Sequence, residues 1–174
     1  MRAAPLSIRA EEPRDRRAAF EVLARAFPRP GEAELVDALR AAGGLVLPLV
    51  AERGGRVLGH VAFSPVRVGR GAAAWHALAL GPMAVDPDHQ RGGIGSALVR
   101  AGLERCREAR HTVVFVLGHA GYYPRFGFEP ATARGLEYEG GPRFAPAFFV
   151  AELEPGALRG RAGVVYYRPE FAGL

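Results

Sequence analysis

The chain has 174 residues and contains no lysine, no asparagine, one glutamine (Gln90) and one cysteine (Cys106). A lone cysteine excludes an internal disulfide and any cysteine-based metal cluster, so no metal is expected. No stretch reaches the ~20 consecutive apolar residues that a membrane-spanning helix needs. The first residues, MRAAPLSIRAEEPRDRR, turn charged before an apolar run of signal-peptide length develops, which predicts a cytoplasmic protein without membrane partners. With lysine absent, all 23 basic side chains are arginine, and the formal charge is +5. These arginines are scattered through every helix and turn, the pattern of a solvated surface. The same field would also favour an anionic ligand. A nucleic-acid-binding domain needs arginines clustered on one face among aromatics. The scatter argues against that, and no nucleic-acid partner is expected.

What is present fits one globular domain spanning 1–174, with 49% hydrophobic residues and no repeat or long linker. A first strand is expected at 6–10. A helix follows Pro13, with Phe20, Leu23, Ala24 and Phe27 on its apolar face. A second helix, with Leu35, Ala38, Leu39 and Ala42 inward, should stop at Gly43-Gly44. Gly54-Gly55 between the apolar runs 45–52 and 56–68 predicts a hairpin, because both glycines can take positive φ. A strand from Trp75 to Val85 should end at Asp86-Pro87. A third helix over 93–109 leads into VVFVL, a run suited to a strand buried on both faces. A short helical piece at Tyr122–Phe126 and strands at 147–153 and 163–167 complete the chain. The class is α/β: a mixed, mostly antiparallel sheet with helices on both faces and one central β-α-β crossover.

The chemistry concentrates in Leu78 to Ser96, LALGPMAVDPDHQRGGIGS, where a strand reaches a proline turn and a glycine-rich loop opens a helix. First-turn amides lack intrahelical partners, and with the helix dipole they form an anion site. Gly92, Gly93 and Gly95 leave room for a ligand to approach, and Arg91 adds charge. A pyrophosphate suits such a place. A glycine cluster alone also reads as a tight turn that allows close helix–sheet packing. Two further features favour the ligand: the spacing Gln90-x-x-Gly93-x-Gly95 directly after the apolar strand, and a second motif downstream, Tyr122-Tyr123-Pro124-Arg125-Phe126-Gly127-Phe128.

With loop, buried strand and YYPRFGF in this order, the chain resembles the GNAT superfamily of N-acetyltransferases, in particular its small bacterial branch carrying YYxRFGF. The resemblance implies that acetyl-CoA is the co-substrate and that an amine, on a small molecule or a peptide, is the acceptor. It implies that the backbone of Met83, Ala84 and Val85 pairs with the pantetheine arm. Main-chain amides from Gln90, Arg91, Gly92, Gly93, Gly95 and Ser96 would then wrap the pyrophosphate. Tyr123 falls where the family commonly places the acid that protonates departing CoA. A phenol, with its ordinary pKa of about 10, is protonated at neutral pH and suits that role.

The base is less clearly marked. In the histone-acetylating branch a glutamate lies on the strand before the loop, and that position here is Ala79. His119, just beyond the buried strand, is the substitute, and two readings stay open for it: a proton relay or acceptor contact, and a turn cap. His76, His60 and Glu52 are weaker candidates. Tyr122 and Tyr123 also read as aromatics closing a core, with Phe126 and Phe128 expected inside it. Cys106 reads as packing, and Glu32, Glu34 and Asp37 as a solvated helix face or a lure for a cationic amine. The apolar tail supplies last strands and, in a second reading, a homodimer surface. The rival functions are a non-catalytic acyl-CoA sensor of the same fold and, further off, a basic nucleic-acid-binding domain.

Overall fold

The computed structural model describes residues 2–174. The strands are β1 (Leu6–Ala10), β2 (Val46–Arg53), β3 (Arg56–Val68), β4 (Trp75–Val85), β5 (Val113–Leu117), β6 (Glu129–Pro130), β7 (Leu136–Tyr138), β8 (Phe148–Glu152) and β9 (Gly163–Tyr166). The helices are α1 (Arg16–Ala26), α2 (Gly31–Ala41) and α3 (Ile94–Glu108). The chain forms two compact units, one of residues 1–63, 82–102 and 170–174, the other of 64–81 and 103–169. Among the described residues no helix is long and apolar enough to cross a membrane.

In the first unit β1 pairs antiparallel with β2, and β2 antiparallel with β3. The β2–β3 hairpin closes through Gly54 and Gly55 at φ 59° and 80°, the conformation the two-glycine joint predicts. Helix α2 ends as expected: Gly43 at φ 70° donates to the Arg40 carbonyl (3.2 Å) and Gly44 to that of Leu39 (2.8 Å).

The buried faces of α1 and α2 differ from those expected. Ala19, Val22 and Leu23 are buried in α1, while Phe20, Ala24 and Phe27 are only partly covered at the rim of that cluster. In α2 the buried residues are Ala33, Leu35, Val36 and Leu39, and Ala38 and Ala42 face solvent. Alanine fits either side of a helix, so it shifted the apparent stripe by about a position, and the larger Val22 and Val36 decide the true one. Burying each such valine is worth about 1.5–3 kcal/mol.

In the second unit β4 runs parallel to β5, the two ends of the expected crossover. Strand β8 lies antiparallel beside β5, and β6 beside β8. Strand β9 pairs antiparallel with β3 and parallel with β7. The core gathers Val66, Val68, Ala79, Phe115, Phe148, Val150 and Val165. Strands β6 and β7 are absent from the sequence reading because two- and three-residue strands are too short to show a period.

Candidate active site

The glycine-rich loop belongs to the first unit, and Asp86 anchors it. This carboxylate is about 2% exposed at the end of β4. It accepts the Asp88 amide at 3.0 Å, while its own N–H donates to the Leu58 carbonyl at 2.7 Å. Arg25 of α1 reaches both Asp86 and Asp88, and Arg56 approaches Asp86 at 3.4 Å. Burial alone would raise the pKa of Asp86. The Asp88 amide, the His89 ring and the two guanidinium groups outweigh it and hold the carboxyl below its ordinary range. The loop therefore starts from a fixed, ionised turn. Gln90 ties the next residue back, its side-chain amide donating to the Val85 carbonyl at 3.1 Å.

Beyond Gln90 the backbone turns sharply. Arg91 has φ 62° and Gly93 φ 84°, both left-handed, and residues 90–93 are exposed. A side chain at Gly93 would meet nothing of the protein within 4 Å, so the space over this backbone is open. The first intrahelical bond of α3 runs from the Ala97 amide to the Gly93 carbonyl at 3.0 Å. The amides of Ile94 and Gly95 precede it and have no carbonyl of their own helix to meet. Two left-handed residues feeding a helix N-terminus make a concave set of N–H donors suited to a diphosphate. Helix α3 is seated there because Gly59 of β3 has no side chain: a Cβ would lie 2.8 Å from Leu98 Cδ1. Ser96 is half-buried in the first turn.

Within the second unit the β4–β5 ladder covers Leu78, Ala79 and Leu80, matched with Val114, Phe115 and Val116. Gly81 follows at φ 136°, and Pro82, without an N–H, cannot extend a ladder. Farther along β4, Met83 and Val85 are half-buried and Ala84 is buried. The 3-10 turn Tyr123–Phe126 follows β5. Its opening is set by His119, whose carbonyl accepts the amides of Tyr122 (3.0 Å) and Tyr123 (3.3 Å) while its side chain stays exposed. Gly127 at φ 90° ends the turn. Tyr123 is about 7% exposed, meeting Tyr122 edge-on at 5.1 Å between centroids and Phe128 at 5.6 Å. Burial, with Tyr122 adding, pushes its hydroxyl up to about 12, so it holds its proton throughout the neutral range.

The remaining candidates sort cleanly. Ala79 is a core residue, so that position of β4 carries no carboxylate. His60 is fully buried, its Nε2 2.7 Å from Glu11, which also pairs with Arg40. Glu52 is tied to Arg9. Both are held by partners within the first unit. His76 is exposed. Asp37 pairs with Arg40, while Glu34 lies exposed. Cys106 is buried, its thiol pushed up to about 12, which fits packing. Phe128 is in the core as expected, but Phe126 is only half-buried. The tight turn spends its inward position on Tyr123.

One residue of this site has no role in the sequence reading beyond a strand stop: Asp86, although Asp-Pro-Asp is a recognisable aspartate-turn signal.

A domain family described as the acetyltransferase (GNAT) domain matches residues 7–131. The chain belongs to the GNAT acetyltransferase family. Like other GNAT enzymes it is an acyltransferase. It is 39% identical to the uncharacterized N-acetyltransferase YhbS of Escherichia coli strain K12 over 165 residues, 94% of this chain and 97% of that one. The crystal structure of YhbS from Escherichia coli in complex with CoA is 38% identical. It superposes with a TM-score of 0.91, covering 98% of this chain and 94% of the other. A GNAT acetyltransferase from Brucella melitensis in complex with acetyl-CoA is 37% identical. Its TM-score is 0.79, with 97% and 99% of the two chains covered. The mixed, mostly antiparallel architecture is thus the GNAT fold.

Proposed function

We propose that this chain moves the acetyl group of acetyl-CoA directly to a primary amine. The observation that carries the reading is the loop: left-handed Arg91 and Gly93, open space above Gly93, and the amides of Ile94 and Gly95, which precede the Ala97–Gly93 bond of α3. Relatives that cover nearly the whole chain hold CoA and acetyl-CoA. On this reading the amides from Gln90 to Ser96 take the diphosphate, and Gly92, Gly93 and Gly95 permit its approach. Met83, Ala84 and Val85 offer main-chain groups to the pantetheine arm, and Gln90 fixes the orientation of the Val85 carbonyl.

The amine attacks the thioester carbon, a tetrahedral oxyanion forms, and its collapse expels the CoA thiolate. Tyr123 donates its proton to that sulfur, and the proton that the attacking nitrogen sheds on becoming an amide returns through solvent to the phenolate. An alkylamine, with its ordinary pKa of about 10.4, must first lose a proton. Ala79 supplies no carboxylate, so we assign this step to solvent relayed by His119, whose side chain is exposed at the head of the tyrosine turn.

The test is calorimetry with acetyl-CoA followed by thiol release with a panel of primary amines. Binding with amine-dependent release is expected. Absence of binding would overturn the loop assignment. Binding without release on any amine would favour an acyl-CoA sensor, which the alanine at position 79 already recommends as the second reading.

A further inference from the structure

Gly118 lies between the last residue of β5 and the tyrosine turn. Its N–H donates to the Ala147 carbonyl at 2.8 Å, so its backbone is fixed to the chain entering β8. A Cβ at this position would lie 2.7 Å from Cδ2 of Tyr123 and nearer still to Cε2. Carbon atoms rest about 3.5–4.0 Å apart, so the ring fills space that any side chain at 118 would need. Gly118 is not in a left-handed conformation, which removes backbone freedom as the reason for glycine here. The reason is the ring.

The ring has little freedom to yield. Tyr122 and Phe128 meet it edge-on at 5.1 and 5.6 Å, and Phe126 lies at 6.4 Å. The Tyr123 amide is held by the His119 carbonyl at 3.3 Å. A methyl at 118 would therefore tilt or slide the ring, and the hydroxyl at its far end would move by at least as much. Misplacing a reacting group by about 1 Å can cost on the order of 100-fold in rate.

We infer that Gly118 is the positioning residue for the proton donor: its missing side chain, with the bond to Ala147, sets where the Tyr123 hydroxyl stands. The inference rests on the reading of Tyr123 as that donor, and the test separates the two. Five proteins are compared: wild type, Gly118→Ala, Tyr123→Phe, Tyr123→Ala and the double variant Gly118→Ala/Tyr123→Ala. Turnover, acetyl-CoA affinity by calorimetry and thermal melting are read for each.

Gly118→Ala should lower kcat by about 100-fold, approaching the loss in Tyr123→Phe, while acetyl-CoA affinity changes less than about twofold. In the Tyr123→Ala background, where no ring opposes the methyl, Gly118→Ala should change neither kcat nor melting temperature. If Gly118→Ala fails to fold, the double variant must still fold, and an unfolded double variant overturns the inference. So does wild-type kcat in Gly118→Ala, or an equal loss of kcat or of melting temperature in both backgrounds. If Tyr123→Phe keeps wild-type turnover, the donor reading falls, and the inference falls with it even where melting shows the two positions coupled. If Tyr123→Phe is slow but melting shows no coupling, only the positioning role is lost.

Discussion

The loop after β4 and the turn after β5 reach their chemistry by opposite means. On the proposed reading the working groups of the loop are main-chain amides: residues 90–93 are exposed, Gly92, Gly93 and Gly95 offer nothing but backbone, and the carboxylate of Asp86 at the start of the loop is buried. In the turn the proposed working group is one side chain, Tyr123, nearly buried among aromatics, and its amide is held by the His119 carbonyl. A backbone site tolerates no added bulk. A side-chain site tolerates no lost atom. Substitutions that respect this division should damage binding in one place and turnover in the other.

The largest expected effect is in the loop. Gly93→Val puts a β-branched residue at φ 84°, a conformation costing about 1–3 kcal/mol, and fills the open space above the amides. Acetyl-CoA affinity should fall by at least about 100-fold, that is, more than about 2.7 kcal/mol. Calorimetry reads this directly, and retained affinity would remove Gly93 from the cradle.

The mirror experiment is Tyr123→Phe, which deletes one oxygen and leaves the ring packing in place. Turnover should drop by about 100-fold, the ordinary contribution of a general acid, with acetyl-CoA affinity unchanged within about twofold. A matched fall in both quantities would erase the contrast between the two sites.

How legible each site was follows from the same division. The Q-x-x-G-x-G spacing points to the proposed backbone site, because glycine marks places where the chain needs room or a left-handed turn, and Gly93 takes one. The longer strands and helices are equally plain, unlike the short β6 and β7: α3 is expected over 93–109 and spans Ile94–Glu108, and the two-glycine hairpin closes as written. The aromatic turn was legible as a motif, but what fixes its geometry was not. Gly118 acts through a contact with a ring five residues away, which no local pattern announces. Asp86 draws on Arg25, sixty-one residues earlier, and long-range ion pairs leave no trace in a single sequence. The helix faces differ at Ala24, Ala38 and Ala42, where alanine is at home on either side, and at Phe20 and Phe27, which lie at the rim of their cluster.

Asp86 allows the comparison to be sharpened by pH. Asp86→Asn keeps the size of the side chain but removes the charge facing Arg25 and Arg56, and should weaken acetyl-CoA binding by about tenfold without altering kcat at saturation. The carboxyl is held below its ordinary value in the folded protein. Its stabilisation is therefore complete above the unfolded carboxylate value of about 4 and disappears as pH falls through the lower folded value. Wild type should lose melting temperature below about pH 4 more steeply than Asp86→Asn does. Parallel melting curves would show that Asp86 is not an ionised anchor.

The smallest effect belongs to Arg25, which is about half-exposed although it touches both aspartates of the loop. Water and salt screen such a contact, and exposed ion pairs contribute little. Asp86 also retains the Asp88 amide and Arg56 when Arg25 is gone. Arg25→Gln should weaken acetyl-CoA binding by no more than about threefold, and that difference should shrink further in 0.5 M salt, where the screening length is about 4 Å. The Gly93→Val defect, being steric and conformational, should not respond to salt at all. If the two variants showed the same salt dependence, the loop would owe its shape to charge and not to its glycines.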